Sequence, residues 1–524
     1  MIRNLLAQLS RDERGNFAII AAVAMVPLVL AAGVAIDFSS ISNRHSELQN
    51  ALDSAALAVA REGDTISDDE ALDIARSFVA ANFLIEHGGL KVIRTGTRVT
   101  VEATARQELH FAGVLGYEDW RVSASSSADI AFNRYEIALV LDTTGSMAGG
   151  KLSAMKDAVL GLVDTMASQI KDTEKLKFAV VPFANFVNVG NQHGPTFKKN
   201  GKVKKKTGAD WLDLQGKADF PQTELPTGLS RFELFQHLGQ TWKGCVETRD
   251  PAGKDLDVAD VTPNPKKPET LFVPAFSIDE PEGWGYSNSY IVSSADPLDK
   301  SPAGQLKKLQ KYGIPDASLL DPLDPSSSWL PVAASSSSGK GPNKDCLAQP
   351  IQPLTNDYDA IKKMVKGLQA NGTTNIMEGV AWGMRALSPE PPFTEGSAKA
   401  PGIEKIMIVL TDGSNVFGNN GTVFGSSYSS NGYLVDGRIG ITAGSSWDTN
   451  KLMNARTLAA CENAKKAGTV VYTIRLEEPD VKTGMMLKEC ATSLNHFFDA
   501  PSRGQLDDVF RSIRDDVVRL RISS

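Results

Sequence analysis

Residues Ile137–Met147 read IALVLDTTGSM. Five apolar residues run directly into Asp142, and Thr144, Gly145 and Ser146 follow before a helical pattern begins. A strand covered on both faces needs such an uninterrupted apolar run, so the stretch predicts a parallel α/β sheet flanked by helices. Open α/β sheets bind ligands beyond the carboxyl ends of their strands. Asp142, Thr144 and Ser146 place one carboxylate and two hydroxyls at that end. An all-oxygen set of this kind suits a hard divalent cation such as Mg2+.

The same alternation continues downstream. Leu152, Met155, Val159, Leu162, Val163, Met166 and Ile170 form the apolar face of a first helix, and LKFAVVPF (Leu176–Phe183) is a second strand. A helix covers Asp357–Leu368. The loop Asn371–Asn375 leads into another helix through Leu387. Ile406–Asp412 (IMIVLTD) repeats the apolar strand ending in aspartate. Lys451–Ala467 reads as helix, Thr469–Leu476 as strand and Leu494–Asp499 as a last strand. Ser502 and Gln505 make a capping box before a closing amphipathic helix through Leu520.

Two stretches interrupt the alternation. Residues 185–356 are polar and rich in Pro and Gly, with a lysine cluster (Lys198, Lys199, Lys202, Lys204, Lys205, Lys206) and a low-complexity tract, Ser335–Gly341. The lysines read as a solvated loop. Trp211, Trp242, Trp284, Tyr286 and Tyr290 predict that part of this insertion has its own core. Residues 414–448 are rich in Gly, Ser and Asn and directly follow Asp412, which puts them at the rim of the polar site. If both preceding strands run parallel to Ile137–Asp142, both insertions leave from that same edge. Residues 414–448 then read as a specificity loop that a short linker could replace with metal affinity nearly unchanged.

The N-terminal part is of another kind. Phe17–Ile36 is an uncharged stretch of 20 residues, about the length that crosses a bilayer. Arg3, Arg11 and Arg14 precede it, so the positive-inside rule leaves the N-terminus cytoplasmic and sends the rest outward. Ser39–Arg61 continues as an alanine-rich helix with Leu48, Leu52, Ala55 and Val59 on one face; it reads as a stalk. Ser67 to Glu70 is a capping box opening a helix to about Leu84. Val99–Phe111 alternates apolar and polar residues, and Val122, Ala124, Ala128 and Ile130 keep the same period, which predicts a small α+β unit with an antiparallel sheet.

Composition narrows the function. With 62 acidic and 55 basic residues the formal net charge is −7, which gives no case for nucleic-acid binding. The four cysteines form no CxxC and the six histidines are scattered, so zinc-ligand spacing is absent. In an exported chain two disulfides are expected. Pairing Cys461 with Cys490 and Cys245 with Cys346 keeps each bridge within one region, one of three possible connectivities.

Asp142-Thr143-Thr144-Gly145-Ser146, Thr374, and Asp412 in Leu410-Thr411-Asp412-Gly413 resemble, in order, the three parts of the metal-ion-dependent adhesion site (MIDAS) of von Willebrand factor type A (vWA) domains. The resemblance covers Arg134–Phe183 and Asp357–Ser523. It implies a doubly wound, mainly parallel sheet flanked by helices. It also implies a Mg2+ (or Mn2+ or Ca2+) site at Asp142, Thr144, Ser146, Thr374 and Asp412. In that family the two aspartates mostly act through water, the hydroxyls coordinate directly, and a partner's acidic residue completes the shell. Thr144 stands where the family has its first serine, and Thr374 rather than Thr373 is taken as the third-part ligand.

The whole layout also resembles TadG-like proteins of Tad/Flp pilus assembly. That pattern is Arg14-Gly15-Asn16-Phe17 before an apolar span, then Asp37 and an alanine-rich helix. It continues with Trp242-Lys243-Gly244-Cys245-Val246-Glu247, Ala381-Trp382-Gly383-Met384-Arg385, and Cys490 followed by His496-Phe497-Phe498-Asp499. Related pilins carry a glutamate five residues after their processing glycine, and Ile20 stands there in this chain. The resemblance implies protein partners among pilus or secretion-system components. It also implies a single-pass anchor in the inner membrane of a bacterial cell envelope, with the C-terminal domains extracytoplasmic.

The expected organisation is a cytoplasmic N-terminus (1–16), a transmembrane helix (17–36), a juxtamembrane helix (37–62), a small α+β domain (63–132) and a vWA domain (133–524) interrupted at 185–356 and 414–448. Two other readings compete. One is a metal-dependent surface adhesin outside any pilus system. The other is a P-loop NTPase, since Gly145–Lys151 is GxxxxGK after a strand; Leu152 stands where that motif needs a metal-binding hydroxyl. No GxSxG, HExxH or paired-carboxylate motif supports another enzyme, so a non-enzymatic binding protein is expected.

Overall fold

The computed structural model describes residues 15–523, apart from 63–65, 85–86, 96–97, 118, 130–133, 171, 219–221, 226–227, 250–254, 284, 294, 316–328, 331, 333–338 and 401. Arg3, Arg11, Arg14, Ile130, Trp284 and most of Ser335–Gly341 therefore lie outside the described residues. The chain divides into two compact units at residues 132 and 133.

The first unit is built on one uninterrupted helix, α1 (Gly15–Glu62). Its N-terminal half is long and apolar enough to cross a membrane. Its C-terminal half is not a stalk. Leu48, Leu52, Ala55 and Val59 are fully buried. They pack against Ala71, Ala75 and Val79 of α2 (Asp68–Asn82) and against Val99, Val101, Ala103 and Val122 of a three-stranded sheet. The small alanine side chains let helix and sheet approach closely, so the segment is the centre of this unit's core. Ser67 and Glu70 cap α2 reciprocally. The sheet runs β1 (His87–Thr95), β2 (Arg98–Glu108), β3 (Asp119–Asp129), all antiparallel. Strand β1 begins at His87 and takes in Gly88 and Gly89.

The second unit is a mixed six-stranded sheet. Its strands in chain order are β4 (Arg134–Asp142), β5 (Leu176–Phe183), β6 (Gln352–Thr355), β7 (Ile403–Thr411), β8 (Thr469–Leu476) and β9 (Phe497–Ala500). In space the order is β6-β5-β4-β7-β8-β9. All neighbours are parallel except β5 and β6. Strand β4 is central, and its alternate residues feed two cores. Ile137, Leu139 and Leu141 meet α3 (Gly150–Gln169), α6 (Tyr358–Gly367) and α10 (Leu506–Ser523). Ala138 and Val140 face α7 (Ile376–Ala386), α8 (Ser446–Lys466) and α9 (Val481–Cys490). Burial on both sides is the reason IALVL carries no polar residue.

The insertion after β5 differs from the expectation of a separate core. Trp211, Phe232, Phe235, Trp242, Phe272 and Tyr290 are buried in the same cluster as Val140, Val181 and Trp382. The Phe272 and Trp382 rings lie 4.8 Å apart, so the insertion is an outer layer of one sheet face. Nor is 414–448 a loose rim. Phe424, Tyr428 and Tyr433 are buried in that cluster as well. Glu247 of the first insertion is held between Arg231 and Arg438, each at 2.7 Å, and Arg438 belongs to the second. The two insertions interlock through this ion pair, because a carboxylate inside apolar surroundings needs compensating charge. Cys245 is bonded to Cys346 and Cys461 to Cys490. The lysine cluster is largely exposed, with Lys202 paired to Glu233 at 3.2 Å.

Candidate metal centre

Strands β4, β5 and β7 run parallel, so their carboxyl ends share one edge of the sheet. Asp142 is the last residue of β4, and Asp412 directly follows β7. The turn after β4 is fixed by its backbone. Thr143 N–H and Oγ1 both donate to Phe183 O, at 2.9 and 3.0 Å, and Gly145 N–H donates to Gly372 O at 3.0 Å. That last bond ties the DTTGS turn to the loop before α7. Gly372 has φ +84, and a Cβ there would stand 2.8 Å from Asn185 Oδ1, so only glycine fits.

The five residues singled out by the sequence meet. Thr144 Oγ1 and Ser146 Oγ are 2.9 Å apart, and Thr374 Oγ1 donates to Thr144 Oγ1 at 3.3 Å. Ser146 Oγ donates to Asp412 Oδ1 at 2.6 Å. Asp142 Oδ1 accepts the Thr144 N–H at 2.8 Å. Thr374 is buried, while Thr373 is exposed, so Thr374 supplies the hydroxyl on this side. Asn375 caps α7, and Ile376 N–H donates to Asn415 Oδ1 at 2.8 Å, which fixes the threonine's turn from behind. Gly413 leaves room: a Cβ there would come within 3.2 Å of Thr374 Oγ1.

Two members of the cluster carry no signal in the sequence for their part in it. Thr411 Oγ1 donates to Asp142 Oδ2 at 2.6 Å. Lys151 Nζ donates to Asp412 Oδ2 at 2.7 Å. The lysine that a GxxxxGK pattern turns toward a phosphate is thus bonded to a carboxylate. Both contacts join residues distant in the chain, and local spacing does not encode them.

The charge balance is unequal. Asp142 is fully buried, and burial pushes its carboxyl up to about 6; the hydrogen bonds from Thr144 and Thr411 oppose this, and the nearby Asp412 adds to it. Two carboxylates share the pocket with a single ammonium, so the cluster is short of positive charge. Among the described residues no group of three or more His, Cys, Asp or Glu side chains gathers. The donors here are instead two carboxylates and three hydroxyls. That set fits a hard, oxygen-seeking cation and is a poor match for zinc or copper.

A search of curated proteins finds no match to the chain. Among solved structures, it is similar to the pilus adhesin SpaC from Lactobacillus rhamnosus GG at 12% identity and TM-score 0.30, over 82% of this chain and 34% of that one. The chain thus spans about a third of that adhesin's length. It is similar to the vWF domain of the type V pili tip protein Mfa5 from Porphyromonas gingivalis at 10% identity and TM-score 0.32, over 74% and 96% of the two chains. It is also similar to the adhesive tip pilin GBS104 from Group B Streptococcus agalactiae at 9% identity and TM-score 0.32, over 74% and 99%. Residues 15–62 match a family described as Tad, putative Flp pilus-assembly TadE/G-like.

Proposed function

We propose that this chain is a membrane-anchored, extracytoplasmic component of a Tad/Flp-type pilus system, and that its second unit is a vWA domain. It binds a protein partner through a divalent cation, Mg2+ in the first instance. Asp142, Thr144, Ser146, Thr374 and Asp412 would hold the ion. The bound ion would supply a Lewis-acidic position for a carboxylate of the partner. The protein's own share is to keep five oxygens together at the strand ends. Thr411 orients Asp142 and Asn415 fixes the start of α7, while Lys151 pairs with Asp412 and would compete with the ion for it. No reaction is assigned; the role is binding.

The observation that carries this reading is the convergence of three hydroxyls and two carboxylates, from three separate segments, in one chain of hydrogen bonds. The Tad-family match over 15–62 supports the pilus setting, and the 20-residue apolar stretch Phe17–Ile36 supports the anchor. The test is recovery of partners from intact cells producing the wild type or Asp142→Ala at equal level, with Mg2+ or with a chelator. Pilus or secretion components should be retained by the wild type in Mg2+ alone. Equal recovery in all four conditions contradicts the metal-dependent role. Recovery of surface proteins unrelated to a pilus supports the adhesin alternative.

A further inference from the structure

The connection between β2 and β3 carries two exposed aromatic residues, Phe111 and Tyr117. With the first two residues of β3 it reads LHFAGVLGYEDW over Leu109–Trp120, and it contains a short 3-10 turn, Ala112–Leu115. A hairpin tip of that composition needs a cover. The tip folds back onto α1 at two points. The Phe111 ring lies against Gly33, where an added Cβ would stand 2.6 Å from the ring. Asp37, one turn further along the same helix face, accepts the backbone N–H groups of His110, Phe111 and Ala112 at 3.1, 2.8 and 2.6 Å. Gly33 lies inside the apolar stretch Phe17–Ile36, about 4–5 Å before its end at 1.5 Å per residue. The tip is therefore fixed to the helix at the level where its hydrocarbon-length segment stops.

The outward side of this contact is aromatic. Phe111 is 39% exposed, Tyr117 62% and Trp120 52%, and Phe38 on α1 is 70% exposed. Aromatic side chains with a polar edge favour the headgroup level of a bilayer. A bare carboxylate there would be costly, and the three amide donors make Asp37 tolerable.

We propose that the β2–β3 tip is a second membrane contact, seated with Phe111, Tyr117 and Trp120 in the headgroup region of the bilayer that α1 crosses. The occupant is lipid, because the helix that holds the tip itself continues into the apolar span. This rests on the anchor reading of α1. Its consequence is that the first unit is held down on the membrane surface and not raised from it.

The test uses the full chain in nanodiscs of phosphatidylethanolamine and phosphatidylglycerol. All four native cysteines are paired, so a single introduced cysteine takes an NBD label alone. Labels go to Val26→Cys in the span, Tyr117→Cys at the tip, and Ser127→Cys, about 26 Å from the tip end of β3 at 3.3 Å per residue. Brominated lipid should quench Val26 and Tyr117 labels, and aqueous iodide should quench Ser127. Trp120→Cys reads the tip independently if the first variant folds poorly. Adding Gly33→Ala, which displaces Phe111, should reduce lipid quenching at Tyr117 at least twofold and leave Val26 unchanged. A Tyr117 label as open to iodide as Ser127 overturns the proposal. So does one shielded from both quenchers, which would mean a protein cover. A Val26 label beyond reach of brominated lipid overturns the anchor reading and this inference with it.

Discussion

Each unit buries an aspartate at a structural junction, and the two are treated oppositely. Asp37 joins α1 to the β2–β3 tip and receives three backbone amides. Those donors, the Ala112 N–H foremost, hold its carboxyl below the usual range. Asp142 ends the central strand, accepts hydrogen bonds from Thr144 and Thr411, and sits near a second carboxylate. Its carboxyl is pushed up to about 6. The first aspartate is a finished structural link. The second is incompletely compensated, which is the state expected of a group awaiting a cation. The same residue type thus serves architecture in one unit and, in the function proposed, a cation in the other; deep burial beside a second carboxylate separates them.

Between the two aspartates, the larger effect on stability should come from removing the finished link. Asp37→Ala leaves three amides without their acceptor. Hydrogen exchange at residues 110–112 should quicken by on the order of 100-fold. Asp142→Ala should not destabilise the metal-free second unit in this way, because it removes a charge that the fold holds at a cost. Equal loss of protection around both sites would dissolve the contrast.

Acid should separate them next. A carboxyl whose folded pKa is raised makes the fold lose stability as pH rises from its unfolded value, about 3.9, through the folded value. Asp142 at about 6, with Asp436 at about 6 and Glu378 at about 7, all raised chiefly by burial, act in this direction. Without metal the second unit should therefore melt at lower temperature at pH 7 than at pH 5. The contribution of Asp37 runs the other way. It is present above its unfolded pKa and is lost as acid takes the pH down through its lowered folded value. Mg2+ affinity should fall about tenfold per pH unit below about 6, since one proton must leave Asp142 for the ion to enter. Affinity flat from pH 7 to pH 5 by calorimetry would argue against Asp142 as a ligand.

The smallest effect sharpens the site's charge balance. Lys151→Met removes the ammonium that shares Asp412. Its side chain is one-fifth exposed, so screening is considerable. Mg2+ should bind a few-fold more tightly to this variant, measured by the same titration; weaker binding would make the lysine a support of the site and not a competitor.

Much of this was legible from local patterns. The apolar run into Asp142 encodes a doubly covered strand, and IMIVLTD repeats it at Asp412, so both carboxylates could be placed at strand ends. Period two around Val99–Phe111 encodes the small sheet. What stayed hidden depends on contacts between distant residues. Helical periodicity shows that Leu48 and Val59 share a face, yet not that the sheet covers it. The polar, Gly-rich composition of 414–448 reads as a loop, but Phe424, Tyr428 and Tyr433 complete a core begun elsewhere. Replacing that segment by a linker, which the sequence alone presents as harmless to the metal site, should expose those rings and leave Glu247 without Arg438. The fold should then be lost, as the loss of a cooperative thermal transition would show. Survival of the transition with unchanged Mg2+ affinity would restore the reading of a detachable loop.

In the function proposed, the under-compensated cluster at the ends of β4 and β7 holds a divalent cation. Calorimetric titration of Mg2+ into the chain, wild type beside Asp142→Ala and Asp37→Ala, checks this. One site is expected in the wild type and in Asp37→Ala, and affinity lower by roughly 100-fold or more in Asp142→Ala, beyond what a supporting residue usually contributes. Equal Mg2+ affinity in the wild type and Asp142→Ala would contradict it.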